Sequence, residues 1–429
     1  MSDLVARFVH FLGDSPTPYH AVANAAEWLS AHGFVELDEG GEPTPLPPGF
    51  KGFLRRSGTL IAFRVGASSP AEAGFRIVSA HTDSPNLRIK PNPIVRSHGL
   101  VRLGVEVYGG VLLATWTDRD LGLAGQVFVD APDGARAVRV DLRRPLCRIP
   151  NVAIHLNRAV NDEGLKLNPQ TQMLPVIGLD AEDGVDPLRA LLAAEVGVDA
   201  DAILSWDLMA YDLTAPTVGG ADGAFVFSGR LDNLTSTHAA LEAMVADANA
   251  ESTGVIALFD HEEIGSTSSR GAQSRLLEGL LDRLLRDGPG SPYGGLARAL
   301  AHSVHLSADA AHAVHPGWAD KHEPNHMPKL GAGVVIKQNA SQRYGTEGET
   351  AALVLRLLRR HAIPHQWFVN RADLACGSTV GPLVAAQLGV PTCDVGSPMF
   401  SMHSAREMCG AADHAALVAL MQAFLAGER

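Results

Sequence analysis

The sequence predicts an α/β fold interrupted by a β-rich insertion, and three observations carry that prediction. Strand–helix alternation fills residues 1–91 and resumes at Phe225. The stretch between has a different texture, with β-branched alternating runs over Leu103–Trp116 and Gly125–Leu142 broken by Gly-Gly, Asp-Arg-Asp and Pro-Asp-Gly turns. The length of 429 residues is enough for more than one domain. Residues 1–91 and 220–429 are therefore expected to form one discontinuous α/β domain, and residues 92–219 an inserted β-rich domain.

From the start of the chain, residues 1–33 read as two helices around the Pro-bearing turn Asp14–Pro18, and Pro43–Gly49 is a connector. Thr59–Val65 and Phe75–Ser79 read as strands, the second delivering Ala80-His81-Thr82-Asp83-Ser84-Pro85. A His with an Asp two residues on can present a metal ligand with the carboxylate that orients its ring. Taken alone, such a pair is as readily a structural turn. In the insertion, His155 lies in the apolar run Asn151–Leu156, which reads as a strand; on residue type it is a hydrogen-bonded core histidine.

The α/β pattern returns with Ser228-Gly229-Arg230-Leu231-Asp232-Asn233, where Asp232 stands between a strand and a helix beginning near Thr235 and could simply cap it. Val255–Phe259 is a short buried strand that opens onto Asp260-His261-Glu262-Glu263-Ile264-Gly265, with a helix expected from about Gly271. Val304–Ser307 leads to Asp309 and then to a polar loop holding His312, His315, His322 and His326, which read as loop histidines. Strands at Gly333–Asn339, Gln366–Asn370 and Pro391–Val395 alternate with helices at Glu349–His361 and Gly377–Leu388. The chain then passes through Met399-Phe400-Ser401-Met402-His403-Ser404 into a last helix from about Ala411.

Composition narrows the function. Hydrophobic residues make up 46% and charged residues 19%, the balance of a soluble globular protein. A net charge of −12 without a Lys/Arg stripe argues against nucleic acid as a partner. No apolar run is long enough to span a membrane, and Met1–Gly13 lacks the basic start and apolar core of a signal peptide. The cysteines Cys147, Cys376, Cys393 and Cys409 are scattered, which suits a reduced cytoplasmic protein without a zinc–thiolate site.

His81, Asp232, Glu263, Asp309 and His403 all fall at or just after expected strand ends, and Glu262 joins them. Ligands of an open α/β sheet bind at such ends. Imidazole with carboxylate suits Zn²⁺, and the number of donors suits two ions about 3.5–4 Å apart. His81, Asp232 and Asp309 would hold one ion and Asp232, Glu263 and His403 the other, with Asp232 giving one oxygen to each. Glu262, left uncoordinated, is free to act as a general base.

These stretches resemble the aspartyl aminopeptidase family of metallopeptidases. The likeness lies in Ser79–Pro85, Gly229–Asn233, Phe259–Ser266, Ser307–His312 and Met399–Ser404, with Val107-Tyr108-Gly109-Gly110 in the insertion. The motifs follow the family's order over nearly the whole chain, with no departure at the ligands or at Glu262. The resemblance implies a mixed-sheet zinc-peptidase catalytic domain, an inserted dimerisation domain and assembly as a homododecamer. It implies two zinc ions per subunit, other divalent ions being possible, and release of N-terminal Asp or Glu from peptides by a metal-activated water. Glu262 would be the base, Asp83 its catalytic companion, and His155 would reach a neighbouring subunit's site to stabilise the tetrahedral intermediate. Lys337 and Tyr344 would line the substrate pocket, although a Lys at a strand end is also a common solvated group. Two rivals use similar residues: a binuclear amidohydrolase acting at a C-terminus or on acylated amino acids, and an assembly protein with structural metals.

Overall fold

The computed structural model describes residues 3–181, 184–246, 250–290 and 295–428. Met1 and Ser2, expected in the first helix, lie outside them. A nine-stranded sheet organises the α/β part. Its four central strands, in the order Thr253–Phe259, Phe75–His81, Val304–Ala308 and Thr392–Gly396, run parallel, so their carboxyl ends open on one side. On one flank Thr59–Arg64 and Lys51–Arg56 add as an antiparallel hairpin; on the other Val334–Gln338 turns antiparallel and His365–Val369 follows it.

Both faces of this sheet are covered, which is why its strands read as continuous apolar runs. Successive side chains point to opposite faces. Val78, Ala80, Ile256 and Leu258 pack in one core, beneath the helices Asp3–Asp14, Pro18–Ala31, Leu231–Val245, Gly348–Arg360 and Ala411–Leu425. Ile77, Val255, Ala257 and Phe259 pack in the other, against Leu276–Asp287 and Val380–Leu388. The first of these two starts later than the expected Gly271, because Ser268 Oγ accepts from the Gly271 N–H and holds the chain in a turn there.

The stretch expected to be inserted, residues 92–219, contributes most of a six-stranded antiparallel sheet that runs from Asn86 to Asp212 in sequence, with a core that includes Leu87, Leu103, Leu123, Val127 and Leu208. A third, five-stranded sheet joins Thr217–Gly219, Phe225–Ser228, Glu407–Gly410, Pro398–Phe400 and Ala311–His312. All four cysteines are free thiols. Among the described residues no helix is long and apolar enough to cross a membrane.

Candidate metal centre

Three central strands deliver residues to one point. Phe75–His81 ends on His81, Thr253–Phe259 leads through Asp260 and the left-handed His261 into the turn Glu262–Ile264, and Val304–Ala308 is followed by Asp309. The other two expected ligands arrive differently. Asp232 follows Phe225–Ser228, and His403 sits in the turn between Pro398–Phe400 and Glu407–Gly410, so both belong to the small five-stranded sheet and not to the large one. Two sheets therefore meet at the site.

The five side chains converge. His81 Nε2 stands 3.4 Å from Asp232 Oδ1, 3.6 Å from Asp309 Oδ1 and 3.9 Å from Glu262 Oε2. His403 Nε2 stands 3.2 Å from Asp232 Oδ2 and 3.4 Å from Glu263 Oε1. Ligand atoms of His81, Asp232 and Glu263 all lie within 4.8 Å of one another. Both imidazoles are held by their other nitrogen. His81 Nδ1 is 3.0 Å from the Asp83 carbonyl and His403 Nδ1 is 3.0 Å from the Gly110 carbonyl. A carbonyl only accepts, so each Nδ1 carries a proton, and Nε2 is the ring atom each imidazole turns to the carboxylates.

Asp232 Oδ1 and Glu263 Oε1 are buried without a hydrogen-bond partner. The electrostatics carry the same tension. Burial, reinforced by Asp232, pushes the Glu263 carboxyl well up. Burial likewise raises Glu262 to about 8, against the pull of His81 and with Asp309, Asp83 and Asp232 adding to it. Although burial works against it, the Asp232 and Glu263 carboxylates raise His403 to about 10. A cation among these groups relieves the repulsion, and a set of two imidazoles and three carboxylates fits zinc.

Asp83 organises the turn beside them. Its Oδ1 accepts the Glu262 N–H at 3.2 Å, and its Oδ2 accepts the Glu263 N–H at 3.1 Å and the Tyr108 hydroxyl at 2.6 Å. Its Oδ1 is also 3.4 Å from His81 Nδ1, so ring orientation is shared between the Asp83 carbonyl and carboxylate, not left to the carboxylate alone. Despite full burial, the contact with His81 and then the Tyr108 hydroxyl hold Asp83 below the usual carboxylate range. Tyr108 and Gly110 come from the insertion. A Cβ on Gly109 would stand 3.1 Å from Glu263 Cβ and one on Gly110 would stand 3.1 Å from His403 Nδ1, which accounts for the Gly-Gly pair.

A family model described as Aminopeptidase I zinc metalloprotease (M18) matches residues 11–425. The chain belongs to the M18 family. A probable M18 family aminopeptidase 2 of Pseudomonas entomophila (strain L48) is 45% identical over 425 residues, 98% of this chain and 97% of that protein. The cryo-electron microscopy structure of the Ape4 and Nbr1 complex superposes with a TM-score of 0.93 at 39% identity, covering 98% of this chain and 85% of that one. The S. cerevisiae mApe1 dodecamer gives 0.85 at 30% identity, covering 98% and 96%. As an M18 member the protein is a metallo-aminopeptidase, a hydrolase of mixed α/β fold, and the family's metal is zinc.

Within the M18 chain the remaining expected residues fall in two places. Tyr344 and Lys337 lie close behind Asp309. The Lys337 ammonium is 3.2 Å from the Ala310 carbonyl, 3.8 Å from Asp309 Oδ2 and 5.0 Å from the Tyr344 ring centroid. Lys337 is not the solvated group that a Lys at a strand end commonly is: it is 2% exposed and paired with the Asp309 carboxylate, because an ammonium this deep needs an anion. His155 is not brought to the site. It stands on the 3-10 turn Ile154–Leu156, not in a strand, and is exposed. The Val152, Ile154 and Leu156 side chains around it are 50, 46 and 80% exposed, so the alternation that suggested a strand buries nothing within this chain. In the His-rich loop, His322 Nε2 bonds the His312 carbonyl and His326 bonds Glu323. Tyr108, Gly110 and Glu407 were not anticipated; only the family-like Tyr-Gly-Gly run hinted at the first two.

Proposed function

We propose that this aminopeptidase removes N-terminal Asp or Glu from peptides with two zinc ions per chain. The observation that carries the reading is the Asp232 carboxylate, 3% exposed, with one oxygen toward His81 and the other toward His403. His81, Asp232 and Asp309 would hold one ion and Asp232, Glu263 and His403 the other. Bound zinc supplies Lewis acidity to the scissile carbonyl and to the attacking water. Glu262, oriented by the bond from its N–H to Asp83, takes the water's proton and returns it to the leaving amine. Lys337 has three N–H donors; one goes to Ala310 and one faces Asp309, leaving a third for a substrate carboxylate beside Tyr344. Cleavage of Asp-, Glu- and Leu-peptides with and without chelator tests the reading. Chelator-resistant cleavage, or equal turnover of all three, would refute it.

The ligand assignment predicts metal content directly. Replacing His81, Asp232, Glu263, Asp309 or His403 by Ala should lower zinc per chain, whereas Glu262→Ala should not. Any of the five variants that retains full zinc by elemental analysis drops its residue from the set.

A neighbouring copy is the proposed source of His155. The exposed apolar side chains around it favour an interface, as do the outer strands of the six-stranded sheet, Gly134–Cys147 and Val176–Leu179, which are bridged to each other where Arg148 meets Val176. By likeness to the mApe1 dodecamer the assembly would be a homododecamer. Light scattering should therefore give one large species, with His155→Ala assembling normally but turning over slowly. A monomer at working concentration would remove both claims.

A further inference from the structure

Glu407 is outside the ligand set, yet it is 3% exposed and both of its oxygens are committed to the site. Its Oε1 accepts the backbone N–H of His403 at 2.7 Å, and its Oε2 accepts the backbone N–H of Asp232 at 3.2 Å. It stands on the strand Glu407–Gly410, opposite Ser228 in the register with Phe225–Ser228. That pairing puts the carboxylate where the chain leaves the second strand toward Asp232. The same strand closes the turn that carries His403, whose φ of 67° is a left-handed conformation uncommon for a residue with a Cβ. Without an acceptor there, the His403 N–H would lose its partner, and the turn would keep only the bond from the Ser404 N–H to the Ser401 carbonyl and the one that the His403 carbonyl accepts from Leu112.

We infer that Glu407 is a positioning residue of the metal centre, tying the backbones of Asp232 and His403 together so that the two ligands keep their spacing. The inference rests on reading those two residues as ligands. A carboxylate is required because two N–H donors converge from two segments and each needs an acceptor; the amide of Gln offers one acceptor and turns a donor toward the second N–H. Groups that orient metal ligands in this way typically alter metal affinity about 10–100-fold when changed.

Wild type, Glu407→Gln, Glu407→Ala and His403→Ala should be purified as assembled proteins and titrated with Zn²⁺ against a chromophoric chelator. Thermal unfolding of each metal-free form should be measured alongside. Glu407→Gln is expected to assemble, to unfold near wild type without metal, and to bind zinc about 10–100-fold more weakly. Glu407→Ala should be weaker again, and added zinc should restore most of the turnover in both. Wild-type zinc affinity in Glu407→Gln would overturn the inference, as would failure of that variant to fold or a loss of thermal stability with affinity unchanged, since those results belong to a purely structural residue. If His403→Ala also binds zinc like wild type, the ligand assignment itself has failed and Glu407 is not the cause.

Discussion

Glu262→Gln should keep its zinc and its assembly while kcat falls about 10²–10⁴-fold, the usual contribution of a general base. The substitution preserves shape and removes the site that takes the proton. Two adjacent glutamates make the assignment sharp, because their surroundings separate them. Glu263 Oε1 is buried without a hydrogen-bond partner and lies 3.4 Å from His403 Nε2, the position of a ligand. The Glu262 carboxylate lies 3.9 Å from His81 Nε2 and its side chain retains 15% exposure, the position of a group that meets water. The backbone N–H groups of both donate to Asp83, so a Gln at 262 has no reason to move the turn. Turnover and zinc content measured on the same preparation decide the matter. Near-normal kcat with full zinc would show that another group moves the proton.

The legible part of this protein is the part written in parallel strands. His81, Glu262, Glu263 and Asp309 follow apolar runs that are buried on both faces, and such runs announce both their existence and their carboxyl ends. Asp232 and His403 were recognised by residue type and motif but assigned to the wrong sheet. The strands that place them are short, Phe225–Ser228, Pro398–Phe400 and Glu407–Gly410, and too brief to show a period. Lys51–Arg56 escaped for a related reason: Gly52 and the two terminal arginines dilute its apolar pattern, and only pairing with Thr59–Arg64 defines it. The run around His155 failed in the opposite direction, with a strand-like alternation whose apolar side chains are exposed. Glu407 carries no motif at all. Its significance depends on two backbone N–H groups, one of them from a segment 175 residues away, and backbone direction is not written in side-chain spacing.

Lys337→Met should lower kcat/KM for an Asp-anilide about 10–150-fold relative to a Leu-anilide, since a hydrogen bond to a charged group is worth roughly 1.5–3 kcal/mol. Burial of Lys337 changes how the experiment has to be read. Its ammonium is 3.8 Å from Asp309 Oδ2, so its removal also leaves a proposed ligand without a neighbouring cation. That cost falls on every substrate, because all of them use the same metal centre. The ratio of the two efficiencies cancels it and isolates what the third N–H does for an acidic side chain. Methionine has nearly the length of lysine and suits the apolar side of the pocket, where Tyr344 and Phe368 pack with Val335, so the site should not collapse. A selective loss on the Asp substrate, with the Leu substrate falling less or not at all, assigns acidic recognition to Lys337. An equal fall on both would mean that the ammonium serves Asp309 alone. Recognition of the substrate carboxylate would then pass to exposed Arg343 or to the loop that carries His312 and His322.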